Sequence, residues 1–181
     1  MNKSTTRKNI LRLRKKNYPK NINISFDYLL KILKSEGMKG KTIGGYYPYN
    51  YEIDVIKILE KLEKKNYLVS LPKIKKNFQM NFFKWSTSDP LIINKYGIPE
   101  PSSFFLKTPD ILLVPLVAFD EYLNRIGYGG GYYDRYINKV KKHKKIITIG
   151  LAYSFQKVKK ISTNKHDMKL DHIVTEKIHL R

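Results

Sequence analysis

Residues Asp110 to Ile137 read DILLVPLVAFDEYLNRIGYGGGYYDRYI. The first part, Ile111 to Phe119, is an apolar run of the kind a buried strand needs, and far short of the about 20 residues of a membrane-spanning helix. The second part puts four glycines into five residues: Gly127, Gly129, Gly130 and Gly131. Arg125 precedes them; Tyr132, Tyr133, Asp134 and Arg135 follow. Glycine loses more backbone freedom on folding than any other residue, so such a cluster needs a cause. One or two glycines satisfy a tight turn. Four, beside an arginine and before a helix over Gly131 to about Lys142, predict backbone N–H groups bared to an anion, with the positive end of a helix dipole behind them.

Working outward, a basic helix is predicted over Thr5 to Asn17, capped by Ser4 or Thr5, with Ile10, Leu11 and Leu13 as its apolar side. A second runs from about Ser25 to Glu36 and stops at Gly37. A short strand at KTIGGYYPY, a helix at YEIDVIKILEKLEKKN and strands at YLVSLP and NFQMNFFKW follow. After the glycine loop come a strand at KIITIGLAY and a last one at DHIVTE. This order predicts one α/β domain over residues 1–181, three-layered α/β/α with a mostly parallel, Rossmann-like central sheet. Ser86 to Pro109 carries Pro90, Pro99, Pro101 and Pro109 and reads as an irregular, ligand-facing lid. The loop after the strongest strand falls where such sheets bind ligands.

The chain has 181 residues, 41% of them hydrophobic, and no cysteine. General disorder, a disulfide framework and thiolate metal sites are excluded. MNKSTTRKNILRLRKK has no apolar core, so a secretory signal is not expected; the short apolar runs speak against a membrane helix, and the lack of cysteine fits a reducing cytoplasm. The formal charge of +21 invites a nucleic-acid reading, but only six of the 36 basic residues are arginine and the lysines are dispersed. A solvated surface, with no specific nucleic-acid partner, is the expectation.

The loop matches neither common phosphate fingerprint. Gly131 is followed by Tyr132, not by Lys-Ser/Thr, and a G-x-G-x-x-G counted from Gly127 ends on Tyr132. On general chemistry it says polyphosphate or nucleotide. Asp134, one turn into the helix, is placed to hold Mg²⁺ against phosphate oxygens, or to serve as a first-turn helix acid.

The run RIGYGGGYYDRYI, preceded by DILLVPLVAFD, resembles the 5-formyltetrahydrofolate cyclo-ligase (methenyltetrahydrofolate synthetase) family. Other segments match in order: Lys8 and Arg12 at a Lys-x-x-x-Arg spacing, YYPYNYEIDV with Glu52, the Leu71-Pro72 strand end, GIPEP, and HDMKLDHIVTE. The resemblance implies an ATP- and Mg²⁺-dependent ligase that turns 5-formyltetrahydrofolate into 5,10-methenyltetrahydrofolate through an iminium phosphate, releasing ADP and phosphate. It implies ATP contacts from Lys8, Arg12, Arg125, Gly127, Gly129, Gly130, Gly131, Tyr132 and Tyr133. Arg125 and Tyr132 would act at the reacting groups. Folate contacts would come from Tyr47, Glu52, Tyr96, Tyr128 and Tyr132, and metal contacts from Asp134 and Asp167. Val55 stands where the family usually has threonine and Tyr96 where it often has tryptophan; a tyrosine still stacks on an aromatic ring. The expected partner is a folate with one glutamate or several, bound by a monomer. The competing readings are a lysine- and tyrosine-rich binder of single-stranded nucleic acid and a related ATP-dependent ligase acting on another formamide or carboxylate.

Overall fold

The structure is a computed structural model and describes residues 2–18 and 24–181. In chain order the elements are α1 (Lys3–Lys16), α2 (Phe26–Ser35), β1 (Thr42–Gly44), α3 (Ile56–Glu63), β2 (Leu68–Ile74), β3 (Met80–Lys84), β4 (Leu91–Ile93), β5 (Pro99–Pro101), β6 (Ile111–Pro115), β7 (Ala118–Phe119), β8 (Arg125–Ile126), α4 (Tyr132–Lys141), β9 (Ile147–Leu151), β10 (His172–Val174) and β11 (His179–Leu180). A 3₁₀ turn covers Ser154–Gln156.

Seven strands form one sheet in the order β11-β10-β9-β6-β1-β2-β3. The five from β10 to β2 run parallel, while β3 and β11 are antiparallel edges. The alternation of β6 explains the layers. Ile111 and Leu113 pack with Leu29 and Leu33 of α2 and Leu59 and Leu62 of α3. Leu112 and Val114 pack with Tyr136, Ile137 and Val140 of α4. All four β6 residues are fully buried, at about 2 kcal/mol each, so this strand anchors both faces. The three-layer α/β arrangement is therefore as expected from the sequence. α1 lies apart from these layers, with Ile10 against Val117, Ala118 and Ile126.

Three details differ from the expectation. α1 begins at Lys3, because Asn2 accepts a hydrogen bond from the Ser4 N–H (2.9 Å) and so takes the cap from Ser4 or Thr5. The proline-rich segment is not wholly irregular. It holds an antiparallel β4–β5 hairpin in which Pro99 and Pro101 sit on a strand paired along one side, where a missing N–H is tolerated. The glycine loop does not leave the strongest strand directly. A small β7–β8 hairpin intervenes, so the loop starts from Ile126.

The strand order reverses around β1, which has β2 on one side and β6 on the other. The crevice beyond the carboxyl ends of β1 and β6 is where an open α/β sheet takes a ligand. Tyr46 and Tyr47 after β1 and Pro115 at the end of β6 line a cavity there.

Candidate active site

The cavity has a volume of about 900 Å³, the scale of a site for a drug-sized ligand or larger. Its walls come from separated parts of the chain: α1, the segment after β1, the β4–β5 hairpin, the glycine loop and the turn around Asp167. No helix among the described residues is long and apolar enough to cross a membrane.

The glycine loop supplies the polar wall. Gly129 and Gly131 have φ of 104° and 65°, the left-handed region where other residues are strained. Gly131 caps α4 without any side-chain hydrogen bond. Among the described residues, the N–H groups of Tyr128, Gly129, Gly130 and Gly131 donate to no protein acceptor. Gly130 has a packing cause, since a Cβ there would lie 2.9 Å from the Tyr132 ring. Gly127 has none. A Cβ there meets nothing within 4 Å, so the space beside it belongs to the cavity. Unpaired donors at a helix N-terminus with open space in front are what an anion requires.

Arg125 lines the cavity, but its guanidinium is committed. Nη1 donates to the Met168 carbonyl (2.6 Å) and Nη2 to Asp134 Oδ1 (2.9 Å), with the side chain 4% exposed. Burial draws the guanidinium below its ordinary value, and the Asp134 charge opposes that. The geometry thus makes Arg125 a support for Asp134, whose Oδ1 also accepts from the Met168 N–H (3.0 Å). Asp167 pairs with Lys3 and accepts from the Asn164 N–H. Partial burial works to raise the Asp167 carboxyl, but the Lys3 and Asn164 hydrogen bonds and the Lys3 and Arg125 charges hold it below the usual range. Asp134 Oδ2 and Asp167 Oδ1 accept no hydrogen bond among the described residues. There is no group of three or more His, Cys, Asp or Glu among those residues that could hold a metal. Two carboxylates facing one cavity fit a hard cation that completes its shell with phosphate and water, as Mg²⁺ does.

The structure corrects the reading of α1. Lys8 and Arg12 are exposed and do not line the cavity. Lys3 and Arg7, with the same spacing five residues earlier and so on another face of the helix, do. Arg7 Nε donates to the Gly127 carbonyl at 2.7 Å and its guanidinium lies over Gly129. The helix is rotated so because Thr6, Ile10 and Arg14 face the protein, while Leu13, expected inside, is 42% exposed.

Glu52 also lines the cavity, 5% exposed, with Oε2 accepting from the Tyr49 N–H (2.9 Å). Burial raises its carboxyl to about 7, against the lowering effects of that hydrogen bond, the Arg14 charge and the Tyr128 hydroxyl. Tyr47, Tyr96, Tyr128, Tyr132 and Tyr133 all border the cavity, as does Phe78, which packs against Tyr132 with ring centroids 5.9 Å apart and the planes tilted by 56°. The sequence reading leaves out Lys3, Arg7, Phe78 and Arg135, which also line it. Arg135 donates to the Phe78 carbonyl and the Gly130 carbonyl, bracing the loop.

The 5-formyltetrahydrofolate cyclo-ligase family model matches residues 1–176. The 5-formyltetrahydrofolate cyclo-ligase of Haemophilus influenzae is 34% identical over 143 residues, covering 75% of this chain and 75% of that protein. That of Escherichia coli K12 is 32% identical over 141 residues, covering 74% and 77%. Among solved structures, the 5,10-methenyltetrahydrofolate synthetase of Aquifex aeolicus superposes with a TM-score of 0.75 at 30% identity, covering 100% of this chain and 93% of that one. The Mycoplasma pneumoniae synthetase gives 0.71 at 26% identity, covering 98% and 100%. With a family match along nearly the whole length and the same fold, the chain belongs to the 5-formyltetrahydrofolate cyclo-ligase family.

Proposed function

We propose that this cyclo-ligase converts 5-formyltetrahydrofolate into 5,10-methenyltetrahydrofolate with ATP and Mg²⁺ as its co-substrate and metal. The carrying observation is one cavity that joins an amide-lined glycine loop to a buried carboxylate between aromatic walls. The loop side suits a polyphosphate. The Glu52 side suits a flat heterocycle whose N–H groups need an acceptor.

A formamide oxygen is a poor nucleophile and its carbon a poor electrophile. Transfer of the γ-phosphoryl group to that oxygen breaks the bond to the β-phosphate oxygen, and ADP leaves. The N10 amine adds to the activated carbon, N10 gives up its proton, and the C–O bond breaks to release phosphate and close the ring. The protein's task is positioning and charge neutralisation. The N–H groups of Gly129 to Gly131 and the α4 terminus bind phosphate oxygens; Lys3 and Arg7 bring positive charge to the same end. Asp134, held by Arg125, and Asp167, held by Lys3, would hold Mg²⁺, which screens the phosphate charge when bound. Tyr47, Tyr96, Tyr128 and Tyr132 wall the folate rings and keep water from the activated carbon. Glu52 orients the pterin.

The test is the absorbance of the methenyl product, whose extended amidine chromophore the substrate lacks. The folded protein should generate it only with 5-formyltetrahydrofolate, ATP and Mg²⁺ together. Folded protein that forms none at any ATP concentration overturns the proposal.

A further inference from the structure

Among the described residues Arg14 is the largest fully buried side chain, at 1% exposure. An arginine almost never sits there without a purpose, because desolvating a guanidinium is costly. Nη1 donates to the Leu116 carbonyl (3.2 Å) and Nη2 to the Tyr128 hydroxyl. Nε, also buried, has no hydrogen-bond partner among the described residues. The guanidinium carbon stands 5.7 Å from the centre of the Tyr128 ring. Fold stability alone is poorly served by this arrangement, since an apolar side chain would fill the same space without an unpaired donor.

The contacts lead to Glu52. The Tyr128 hydroxyl takes the Arg14 proton donor and itself donates to the Tyr49 carbonyl (3.3 Å). The Tyr49 N–H in turn donates to Glu52 Oε2. The Tyr49 and Tyr128 rings meet edge to face at 5.7 Å. We propose that Arg14 is a positioning residue for folate: acting through Tyr128 and Tyr49, it sets the place and the negative charge of the Glu52 carboxylate. Three segments far apart in sequence, α1, the glycine loop and the turn after β1, are thereby tied into one recognition element. This rests on the folate reading above.

The electrostatics agree with the geometry. The ionisable groups around Glu52 are the phenols of Tyr46, Tyr128 and Tyr133 and the guanidinium of Arg14. Burial raises all three phenols, so they stay neutral through the working range. Arg14 is the one charged side chain among the described residues that favours the ionised form of Glu52. Without it, burial acts unopposed by charge, and the carboxyl group keeps its proton to higher pH.

The experiment measures KM for 5-formyltetrahydrofolate and for ATP from pH 6.5 to 9 in the wild-type enzyme, Arg14→Met, Arg14→Lys, Tyr128→Phe and Glu52→Gln. Wild-type turnover must be seen first; its absence refutes the folate reading and is distinct from any result on the variants. Arg14→Met should raise the folate KM tenfold or more at pH 7, with the deficit shrinking toward pH 9 as Glu52 ionises. The ATP KM should change less than threefold. Arg14→Lys, which keeps the charge, should restore much of the affinity. In the Glu52→Gln background, Arg14→Met should add less than threefold. A folate deficit that is equal at every pH, or that persists in full when Glu52 is already Gln, overturns the proposal and leaves a packing role. If Arg14→Met does not fold, Tyr128→Phe decides: an unchanged folate KM and pH profile there overturns the link.

Discussion

Replacing Glu52 by glutamine should make the folded state more stable and the enzyme worse. The unfolded carboxyl titrates near 4.5, whereas burial holds the folded one at about 7. At low pH the group is neutral in both states. As pH rises past 4.5 the unfolded chain gives up this proton while the folded chain keeps it, so unfolding is progressively favoured. Stability is lost until the folded carboxyl ionises near pH 7, and above that the loss is constant at about 3 kcal/mol. Glutamine keeps the shape and an oxygen for the Tyr49 N–H, without the charge. Glu52→Gln should therefore match the wild type within about 0.5 kcal/mol at pH 4.5 and exceed it by about 3 kcal/mol at pH 8.5. For a chain of this length that is roughly 6–12 °C in Tm. Urea unfolding of both proteins at the two pH values reads the difference directly. The folate KM should rise at least tenfold, about 1.4 kcal/mol. A variant no more stable than wild type at pH 8.5, or a gap that is the same at both pH values, refutes the claim that this carboxylate is buried at a cost to the fold.

Asp134→Asn should lower turnover by about two orders of magnitude, roughly 3 kcal/mol of barrier, with partial recovery at high Mg²⁺ in steady-state assays. It should also cost about 1–3 kcal/mol of stability by denaturant unfolding, because Arg125 loses its counter-charge and Asp134 is only partly shielded from water. Gly127→Ala should leave Tm unchanged, since its Cβ meets no protein atom, yet raise the ATP KM tenfold or more; an unaltered ATP KM would show that the open space is not a phosphate seat. Arg7→Ala should weaken ATP likewise, whereas Lys8→Ala and Arg12→Ala should match wild type in the same assay, both side chains being exposed. Catalysis should survive moderate salt because the site charges are local and partly enclosed, while any binding of single-stranded RNA, followed by filter retention, should fall steeply with salt.

The Ile111–Phe119 run and the glycine cluster made the sheet and the loop legible because each obeys a local rule: an apolar run must be buried, and repeated glycines must bare backbone. α1 was harder. Its apolar residues Ile10, Leu11 and Leu13 suggest one face, but the face that meets the protein is Lys3, Arg7, Ile10 and Arg14. The 3.6-residue period would allow that line. What hides it is that three of its four members are basic, and a basic residue on a basic helix reads as solvated. The β4–β5 and β7–β8 hairpins escaped for another reason. Their strands have only two or three residues, too short for alternation to register. The role of Arg125 also needed coordinates, since only the approach of Met168 and Asp134 shows that its charge is already spoken for.

Lys3 meets Asp167 across 164 positions of the chain. During synthesis the helix that carries Lys3 and Arg7 leaves the ribosome 164 residues before its counterpart at Asp167. Until then Lys3 has no carboxylate opposite it, and before the glycine loop emerges Arg7 has no Gly127 carbonyl to hold. This end of the crevice can thus be assembled only after Asp167 has been made. A ligand that needs both α1 and the Asp167 turn cannot template the folding of a shorter nascent chain; it can select only one that already presents both.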